Sequence, residues 1–231
     1  MSQSVSFDEL IRLIAEHDAS RRIVVAIAGA PGSGKSTLAD LLVSSLNENA
    51  PARAAVLPMD GYHYDDRILI ERGLRARKGA PETFDVFGLL HILDRLKRNQ
   101  EDEIAVPVFD RDLEISRAGA QLISNAARVL VVEGNYLLLD LQPWSRLHDM
   151  FDMAVALEVA EDILRQRLVA RWRGYGLSSA EIEAKVEGND LPNGRYVMSK
   201  SKPADFVLGA DWRKRERRHG RRRTRFHRPV V

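Results

Sequence analysis

The sequence has 231 residues, of which 45% are hydrophobic and 29% are charged, and it contains no cysteine. This length is typical of one domain with a sizeable core, and the lack of cysteine excludes a disulfide scaffold, a thiolate zinc site and cysteine catalysis. No apolar run reaches the roughly 18 residues that a membrane-spanning helix needs, and residues 1–10 lack the pattern of a signal peptide. We therefore expect a soluble cytoplasmic protein.

Charge is distributed unevenly along the chain. The formal net charge is +2, but residues 213–228 contain ten Lys or Arg and one acidic residue, Glu216. This segment carries +9, so the remaining residues sum to −7. We predict a domain over residues 1–210 and a basic, disordered tail over 211–231. The acidic domain disfavours nucleic acid as a partner, except through the tail.

Capping patterns and apolar periodicity predict alternating helices and strands. Ser6 and Glu9 match a capping box, and a helical apolar stripe runs from Phe7 to Ile14. Such alternation is typical of an α/β fold with a mainly parallel sheet. Short apolar runs predict strands at 23–28, 54–57, 104–108, 129–132 and 153–157, and helical spacing predicts helices around 38–42, 86–93 and 163–172.

The segment from about 160 to 195 differs from the chain before it. Its arginine-rich helix is followed by Gly174 and Gly176, and Ser178 and Glu181 then form a second capping-box pattern. A helix–loop–helix of this kind indicates a small helical lid, with the glycines as hinges.

A glycine-rich loop joins the first buried strand to the helix after it. Residues 29–36 read GAPGSGKS, which fits the phosphate-binding pattern G-x-x-x-x-G-K-[ST] in the strand–loop–helix context that the pattern requires. Backbone N–H groups of such a loop converge on phosphate oxygens; Lys35 would reach the β- and γ-phosphates, Ser36 would ligate Mg²⁺ and Thr37 would bind the α-phosphate. The predicted nucleotide-binding residues are Gly29, Ala30, Pro31, Gly32, Ser33, Gly34, Lys35, Ser36 and Thr37.

Two acidic residues follow predicted strands near this loop. Glu133 ends the strand at 129–132, where a second ligand for Mg²⁺ is expected beside Ser36. Asp60 follows the strand at 54–57, where a carboxylate can accept the proton of a hydroxyl group that is phosphorylated. The sequence lacks the N/T-K-x-D pattern for guanine and the L-S-G-G-Q pattern of transporter ATPases. Kinases and small-molecule NTPases remain as the candidate classes of nucleotide-binding protein.

Five short motifs together resemble one family over residues 20–210. The chain is similar to the P-loop kinases grouped as phosphoribulokinase, uridine kinase and bacterial pantothenate kinase, and in particular to bacterial members labelled nucleoside/nucleotide kinase-like or fructose transport system kinase. Besides the loop, the matching motifs are MDGY at 59–62, ERGL at 71–74, KGAPETFD at 78–85, PVFD at 107–110 and EGNY at 133–136. The resemblance implies a three-layer α/β/α P-loop NTPase fold, ATP and Mg²⁺ as cofactors, Asp60 as catalytic base and a possible homodimer.

The motifs leave the phosphoryl acceptor open among a sugar, a nucleoside and a pantothenate-like compound. Uridine kinases carry a Phe and a His where this chain has Arg111 and Glu114, and the pantothenate kinase match ends after Val108. Arg111 would suit an anionic group. The candidates for acceptor recognition are His63, Tyr64, Lys78, Asp85, Arg111 and Glu114.

Four arginines of the predicted lid, at positions 165, 167, 171 and 173, could stabilise the transferring phosphoryl group. Arg167 and Arg171 share one helix face, so we predict that these two act in catalysis, together with Lys35 and Asp60. We expect three further polar residues either to border the adenine pocket or to close the lid, namely Asn189, Asp190 and Asn193.

Two functions from different classes follow from these observations. The first is an ATP-dependent kinase that phosphorylates a hydroxyl of a small metabolite. The second is a nucleic-acid-associated NTPase, or a nucleotide-gated binding protein, that uses the basic tail. The acidic domain and the pair Asp60 and Glu133 favour the first.

Overall fold

The computed structural model describes residues 2–17, 21–48, 50–209 and 212, in which strands and helices alternate along most of the chain. The strands are β1 (Gln3–Ser4), β2 (Ile23–Gly29), β3 (Ala54–Pro58), β4 (Glu103–Asp110), β5 (Ile115–Ser124), β6 (Val129–Gly134), β7 (Met153–Glu158) and β8 (Phe206–Gly209). The helices are α1 (Phe7–Ala15), α2 (Lys35–Asn47), α3 (Asp66–Glu71), α4 (Val86–Arg98), α5 (Glu161–Gly174), α6 (Ser179–Lys185) and α7 (Leu191–Lys200).

Six parallel strands form the central sheet in the order β1-β8-β7-β2-β6-β3. Strands β2 and β6 are buried at every position because helices cover both faces, which explains their continuous apolar sequences. Four of the predicted strands are β2, β3, β6 and β7. The α/β class with a mainly parallel sheet is therefore confirmed.

Helices pack on both faces of this sheet. On one face, Ile14 of α1 and Leu38 and Leu42 of α2 lie in one apolar cluster with alternate residues of the central strands. On the other face, Leu89 and Leu93 of α4 lie in a second cluster with the remaining strand residues. The three layers leave the carboxyl ends of the strands at one edge, where ligands bind in open α/β sheets.

The strand predicted at 104–108 exists, but it lies outside the parallel sheet. It is part of β4, which pairs antiparallel with β5 to form a separate two-stranded sheet. Strand β5 was not predicted because most of its residues are exposed, so it has no apolar run. The short strands β1 and β8 were missed as well, since two and four residues give too little pattern.

The segment predicted as a lid is built from three helices around their own apolar cluster. Both capping boxes, at Ser6 and at Ser178, are present. Helix α6 continues through a π-helical turn at Val186–Asp190 into α7, so the segment is longer than a simple helix–loop–helix. Leu164 and Leu168 of α5, Ile182 of α6 and Leu191 of α7 pack together with Ala30 of the glycine-rich loop.

One residue at the predicted start of the tail belongs to the core. Trp212 is buried in the cluster that contains residues of α1 and α2, two residues beyond the predicted domain boundary at 210. The rest of the predicted tail lies outside the described residues. No helix in the described ranges is long and apolar enough to cross a membrane.

Candidate active site

The glycine-rich loop turns tightly from β2 into α2. Gly32 and Gly34 have positive φ angles of 81° and 98°, in the left-handed region that favours glycine. A Cβ at Gly32 would also lie 3.0 Å from Cγ of Leu168 on α5. The turn leaves the first backbone N–H groups of α2 directed into the loop, an arrangement that binds phosphate.

A groove of about 320 Å³ runs along this loop, and we call it the loop groove. Arg167 lines it and donates hydrogen bonds from Nη1 to the carbonyl oxygens of Ser33, over 2.8 Å, and Gly32, over 3.4 Å. The groove is lined by Gly32, Gly34, Lys35, Ser36, Thr37, Arg167, Ala170 and Arg171.

Ser36 and Glu133 lie next to each other because β2 and β6 are adjacent in the sheet. Oγ of Ser36 donates to Oε1 of Glu133 over 3.0 Å, and Glu133 is 5% exposed. Burial raises the pKa of Glu133, while Lys35 opposes that rise. A hydroxyl and a buried carboxylate are hard oxygen ligands of the kind that Mg²⁺ takes beside phosphate oxygens and water, so these residues fit the predicted metal.

Asp60 lies across from Lys35 at the start of a 3₁₀ turn, Met59–Tyr62, which follows β3. Nη2 of Arg111 donates to Oδ2 of Asp60 over 2.5 Å. Burial alone would raise the pKa of Asp60, but Arg111, His63 and Lys35 together hold it below its usual value. The carboxylate is therefore ionised at neutral pH.

Gly61 explains why Arg111 reaches Asp60. A Cβ at this position would clash with the carbonyl group of Pro107, so only glycine lets the turn after β3 approach β4 so closely. Arg111 directly follows β4 and is thereby brought over Asp60.

A polar cavity of about 120 Å³ opens on the other side of Lys35. Lys35, Ser36 and Arg171 line both this polar cavity and the loop groove. Burial lowers the pKa of Lys35, although Glu133 and Asp60 oppose the change. The remaining lining includes Asp60, His63, Arg75, Lys78, Phe84, Phe109, Arg111, Glu114, Asn135, Trp172, Lys185, Asn189, Asp190 and Asn193.

A larger, mainly apolar cavity of about 600 Å³ lies beyond Gly29 and Ala30, against β7 and α7. It contains none of the predicted catalytic residues, so its size does not make it the reaction site.

Comparison with known proteins agrees with this geometry. The family model described as "Phosphoribulokinase / Uridine kinase family" matches residues 24–209. The chain belongs to this family. As a member, it is a small-molecule kinase, that is, a phosphotransferase.

Individual relatives carry several different names. A Schizosaccharomyces pombe protein named "Putative uridine kinase" is 33% identical over 88% of this chain and 90% of its own length. A pantothenate kinase of Parvibaculum lavamentivorans is 31% identical, and the matched region covers 64% of this chain and 48% of that enzyme. The solved structure of a "putative fructose transport system kinase" from Silicibacter sp. TM1040 has a TM-score of 0.81 and 40% identity, and the match covers 88% of this chain and 99% of that one.

Two of the residues predicted to recognise the acceptor lie elsewhere in this kinase. Asp85 is the N-cap of α4, where Oδ1 accepts from the backbone N–H of Gly88 over 2.9 Å. Tyr64 stacks under the guanidinium of Arg72 at 4.7 Å. Neither lines the polar cavity, whereas His63, Lys78, Arg111 and Glu114 do, and the recognition role of Asp85 and Tyr64 stays a prediction.

The four lid arginines divide into two pairs in the structure. Arg165 forms ion pairs with Glu161 and Glu187, and Arg173 is exposed. Arg167 contacts the backbone of the loop, and Arg171 lines both the loop groove and the polar cavity. Burial lowers the pKa of Arg171, and the neighbouring Arg111 lowers it further.

The lid also contributes residues that the sequence left open or missed. Asn189, Asp190 and Asn193 line the polar cavity, next to Asp60 rather than in the loop groove. Nδ2 of Asn189 donates to the carbonyl of Lys78 over 3.1 Å, which joins the lid to the chain below it. Trp172, which donates to Asp190 over 2.7 Å, and Asn135 were not selected, because an aromatic residue on a helix and an amide after a strand are common.

Proposed function

We propose that this kinase transfers the γ-phosphoryl group of ATP to a hydroxyl of a small metabolite, namely a sugar, a nucleoside or a pantothenate-like compound. One observation carries the proposal: Lys35, Ser36 and Arg171 line both the loop groove and the polar cavity that contains Asp60. Nucleotide phosphates in the groove and a hydroxyl in the cavity would therefore meet at these three side chains.

The loop residues and the lid arginines would bind and orient the phosphates. Backbone N–H groups at the start of α2 bind the oxygens, and Lys35 neutralises charge between the β- and γ-phosphates. Arg171 lies at the junction, where charge is shared between the attacking and leaving oxygens. Arg167 holds the loop through its carbonyls, which gives it a positioning role in addition to its charge.

Ser36 and Glu133 are the residues that would hold Mg²⁺. Mg²⁺ supplies further neutralisation of the phosphate oxygens when it is bound. Asp60 would orient the acceptor hydroxyl and accept its proton as the new oxygen–phosphorus bond forms. Because phosphoryl transfer has a loose transition state, an ionised carboxylate with a low pKa is sufficient for this role.

An ADP-release assay with MgATP against hydroxyl metabolites tests this function. Sugars, ribonucleosides, pantothenate and ribulose phosphate form the panel. We expect one class to raise ADP release well above the rate with ATP alone and to yield a phosphorylated product. If every acceptor leaves the rate unchanged, the kinase assignment for this chain is contradicted.

A second candidate function rests on the +9 charge of residues 213–228. An NTPase that acts with nucleic acid would lose stimulation when the basic segment is removed, whereas a metabolite kinase would keep its turnover. The truncation should end after Trp212, since that side chain is buried in the core. ATP hydrolysis that RNA or DNA stimulates only in the full-length chain would favour this alternative.

A further inference from the structure

The acceptor side of the polar cavity is rich in cations, but the protein already pairs them. Arg111 binds Asp60 over 2.5 Å, and Arg75 and Lys78 both bind Asp66, each over 2.6 Å. An anionic group on the acceptor would have to displace one of these ion pairs.

The other cations of the polar cavity contact the lid or line the loop groove as well. Nζ of Lys185 lies over the ring of Trp172 at 4.5 Å, and that indole donates to Asp190. Lys35 and Arg171 line the loop groove as well, where the nucleotide phosphates would use their charge.

Among the described residues that line the polar cavity, two hydrogen-bond acceptors lack partners. Oδ1 of Asn135 is buried without a hydrogen-bond partner among the described residues. Glu114 lines the same cavity, and within the described part of the chain its carboxylate makes neither an ion pair nor a hydrogen bond. Together with Oδ1 of Asp60, these oxygens can accept hydrogen bonds from hydroxyl groups.

The backbone holds Glu114 in place for such a contact. Its φ is 58°, in a region that L residues other than Asn and Asp rarely adopt. Lys78, whose side chain is 7% exposed, donates from Nζ to the carbonyl oxygen of Glu114 over 2.5 Å. The positive φ and the lysine contact fix the backbone of Glu114 at the edge of the cavity.

The polar cavity offers no slot for a nucleobase. The rings of Phe84 and Phe109 would be suited to stack a base, but the His63 imidazole lies between them, with centroids at 4.0 and 4.7 Å. The volume of about 120 Å³ is also well below that of most drug-sized ligand pockets.

We propose that the acceptor is a small neutral polyol, such as an unphosphorylated sugar or sugar alcohol. This inference rests on the proposed kinase function. One hydroxyl donates to Glu114 and another to Oδ1 of Asn135, and these contacts present a third to Asp60. In the transfer, the O–H bond of that hydroxyl breaks and its proton goes to Asp60. A new O–P bond forms, and the bond to the β–γ bridging oxygen breaks so that ADP leaves with the electron pair.

Matched pairs of compounds test the charge and size of the acceptor. The assay measures ADP release and product formation with fructose against fructose 6-phosphate, glucose against gluconate, glycerol against glycerate, and ribose against uridine. We expect turnover only with neutral polyols. Phosphorylation of an anionic member or of uridine in preference to its neutral partner would overturn the inference and leave the kinase function standing. Silence with all of these compounds would also overturn the inference, whereas the kinase function itself would be contradicted only if the full acceptor panel, with pantothenate and the other ribonucleosides, were silent as well.

Variants of the two acceptor groups separate recognition from folding. Glu114→Ala and Asn135→Ala should each raise KM for the polyol about tenfold or more, because a donor loses its partner, while KM for ATP changes little. Glu114→Lys should shift the preference towards the anionic member of a pair. The matched control is Asp112→Ala, an exposed acid of the same turn that does not line the cavity. Unchanged polyol KM in both alanine variants, with the native melting temperature retained, would refute these contacts.

Discussion

His63 lies at the centre of the charged groups around Asp60. Its Nδ1 is 2.8 Å from the carbonyl oxygen of Asp60, and Lys78 and Arg111 are the cations that oppose its protonation. Burial is the largest effect and lowers the pKa of His63 below 6.5, although Asp60 opposes it. The ring is therefore neutral at neutral pH, and Nδ1–H donates to that carbonyl.

This low pKa predicts how stability depends on pH. A base whose pKa is lower in the folded state resists protonation there, so stability is intact above the unfolded value of 6.5 and is lost as the pH falls through the folded value. Chemical denaturation at about pH 7 and at about pH 5 measures how much unfolding free energy is lost between the two pH values. We expect this loss to be smaller for His63→Gln than for the native chain. Equal losses would show that His63 does not contribute.

Site residues that belong to a local sequence motif could be predicted from the sequence. Site residues whose role depends on contacts between distant parts of the chain could not. The loop of residues 29–36 is specified by glycine spacing. Asp60 follows β3 and Glu133 lies near the end of β6, so the sequence was enough to place these residues near one another. The cap role of Asp85 was not evident from sequence, because an acid before an apolar helix is typical both of a helix cap and of a ligand. The ion pair of Arg111 with Asp60 depends on the contact of Gly61 with Pro107, which no local pattern announces.

Helices α5–α7 are the element that would close over the bound nucleotide. They share an apolar cluster with Ala30 of the loop, and Gly194 of α7 is close to it, since a Cβ there would lie 3.3 Å from that of Ala30. Lid motion would therefore be coupled to the loop. The hinge role of Gly174 and Gly176 remains a prediction.

Trp172 should report this closure. Its indole lines the polar cavity on α5, whereas Trp144 is fully packed in the core. We expect a non-hydrolysable ATP analogue to reduce the quenching of Trp172 fluorescence by acrylamide, because closure shields the ring. The variant Trp172→Phe should lose the nucleotide-dependent part of the signal. The same quenching with and without the analogue in the native chain would argue against a moving lid.

Elements were predictable where burial imposed a pattern on the sequence. The two-sided burial of β2 and β6 gives apolar runs that identify them directly. Strand β5 pairs only with β4, leaves most of its side chains exposed and carries no such run, so the sequence did not reveal the antiparallel pair. Its consequence for function is large, because the turn between β4 and β5 contains both Arg111 and Glu114.

For the whole molecule, one buried arginine connects the ends of several elements. Arg22, directly before β2, is 1% exposed and donates to the carbonyls of Ala127, Leu96 and Ser124 over 2.6, 2.8 and 2.7 Å. Burial, with a contribution from Arg128, lowers its pKa to about 10, so it stays charged at neutral pH. The residue joins the end of α4 and the β5–β6 turn to the central strand.

Arg22→Met should destabilise the fold, because it removes the guanidinium donor from three carbonyls, those of Ala127, Leu96 and Ser124. The carbonyl of Ser124 keeps a second donor, the backbone N–H of Ala127. We expect a loss of about 3 kcal/mol or more in unfolding free energy, measured by thermal or chemical denaturation. The matched control is the adjacent Arg21→Met, whose side chain is 57% exposed and should cost less than about 1 kcal/mol. Similar losses for the two variants would mean that the buried contacts of Arg22 are not the main source of its contribution.

Transfer of the γ-phosphoryl of labelled ATP to the best acceptor, compared between the native chain and Asp60→Asn, tests whether Asp60 acts on the acceptor hydroxyl. We predict that Asp60→Asn lowers kcat by about 10²-fold or more, while ATP affinity stays near the native value, since the loop groove is intact. The exposed Asp112→Asn should transfer at the native rate. Native turnover in Asp60→Asn would contradict the account, because the junction of the two cavities would then lack the role we assign to it.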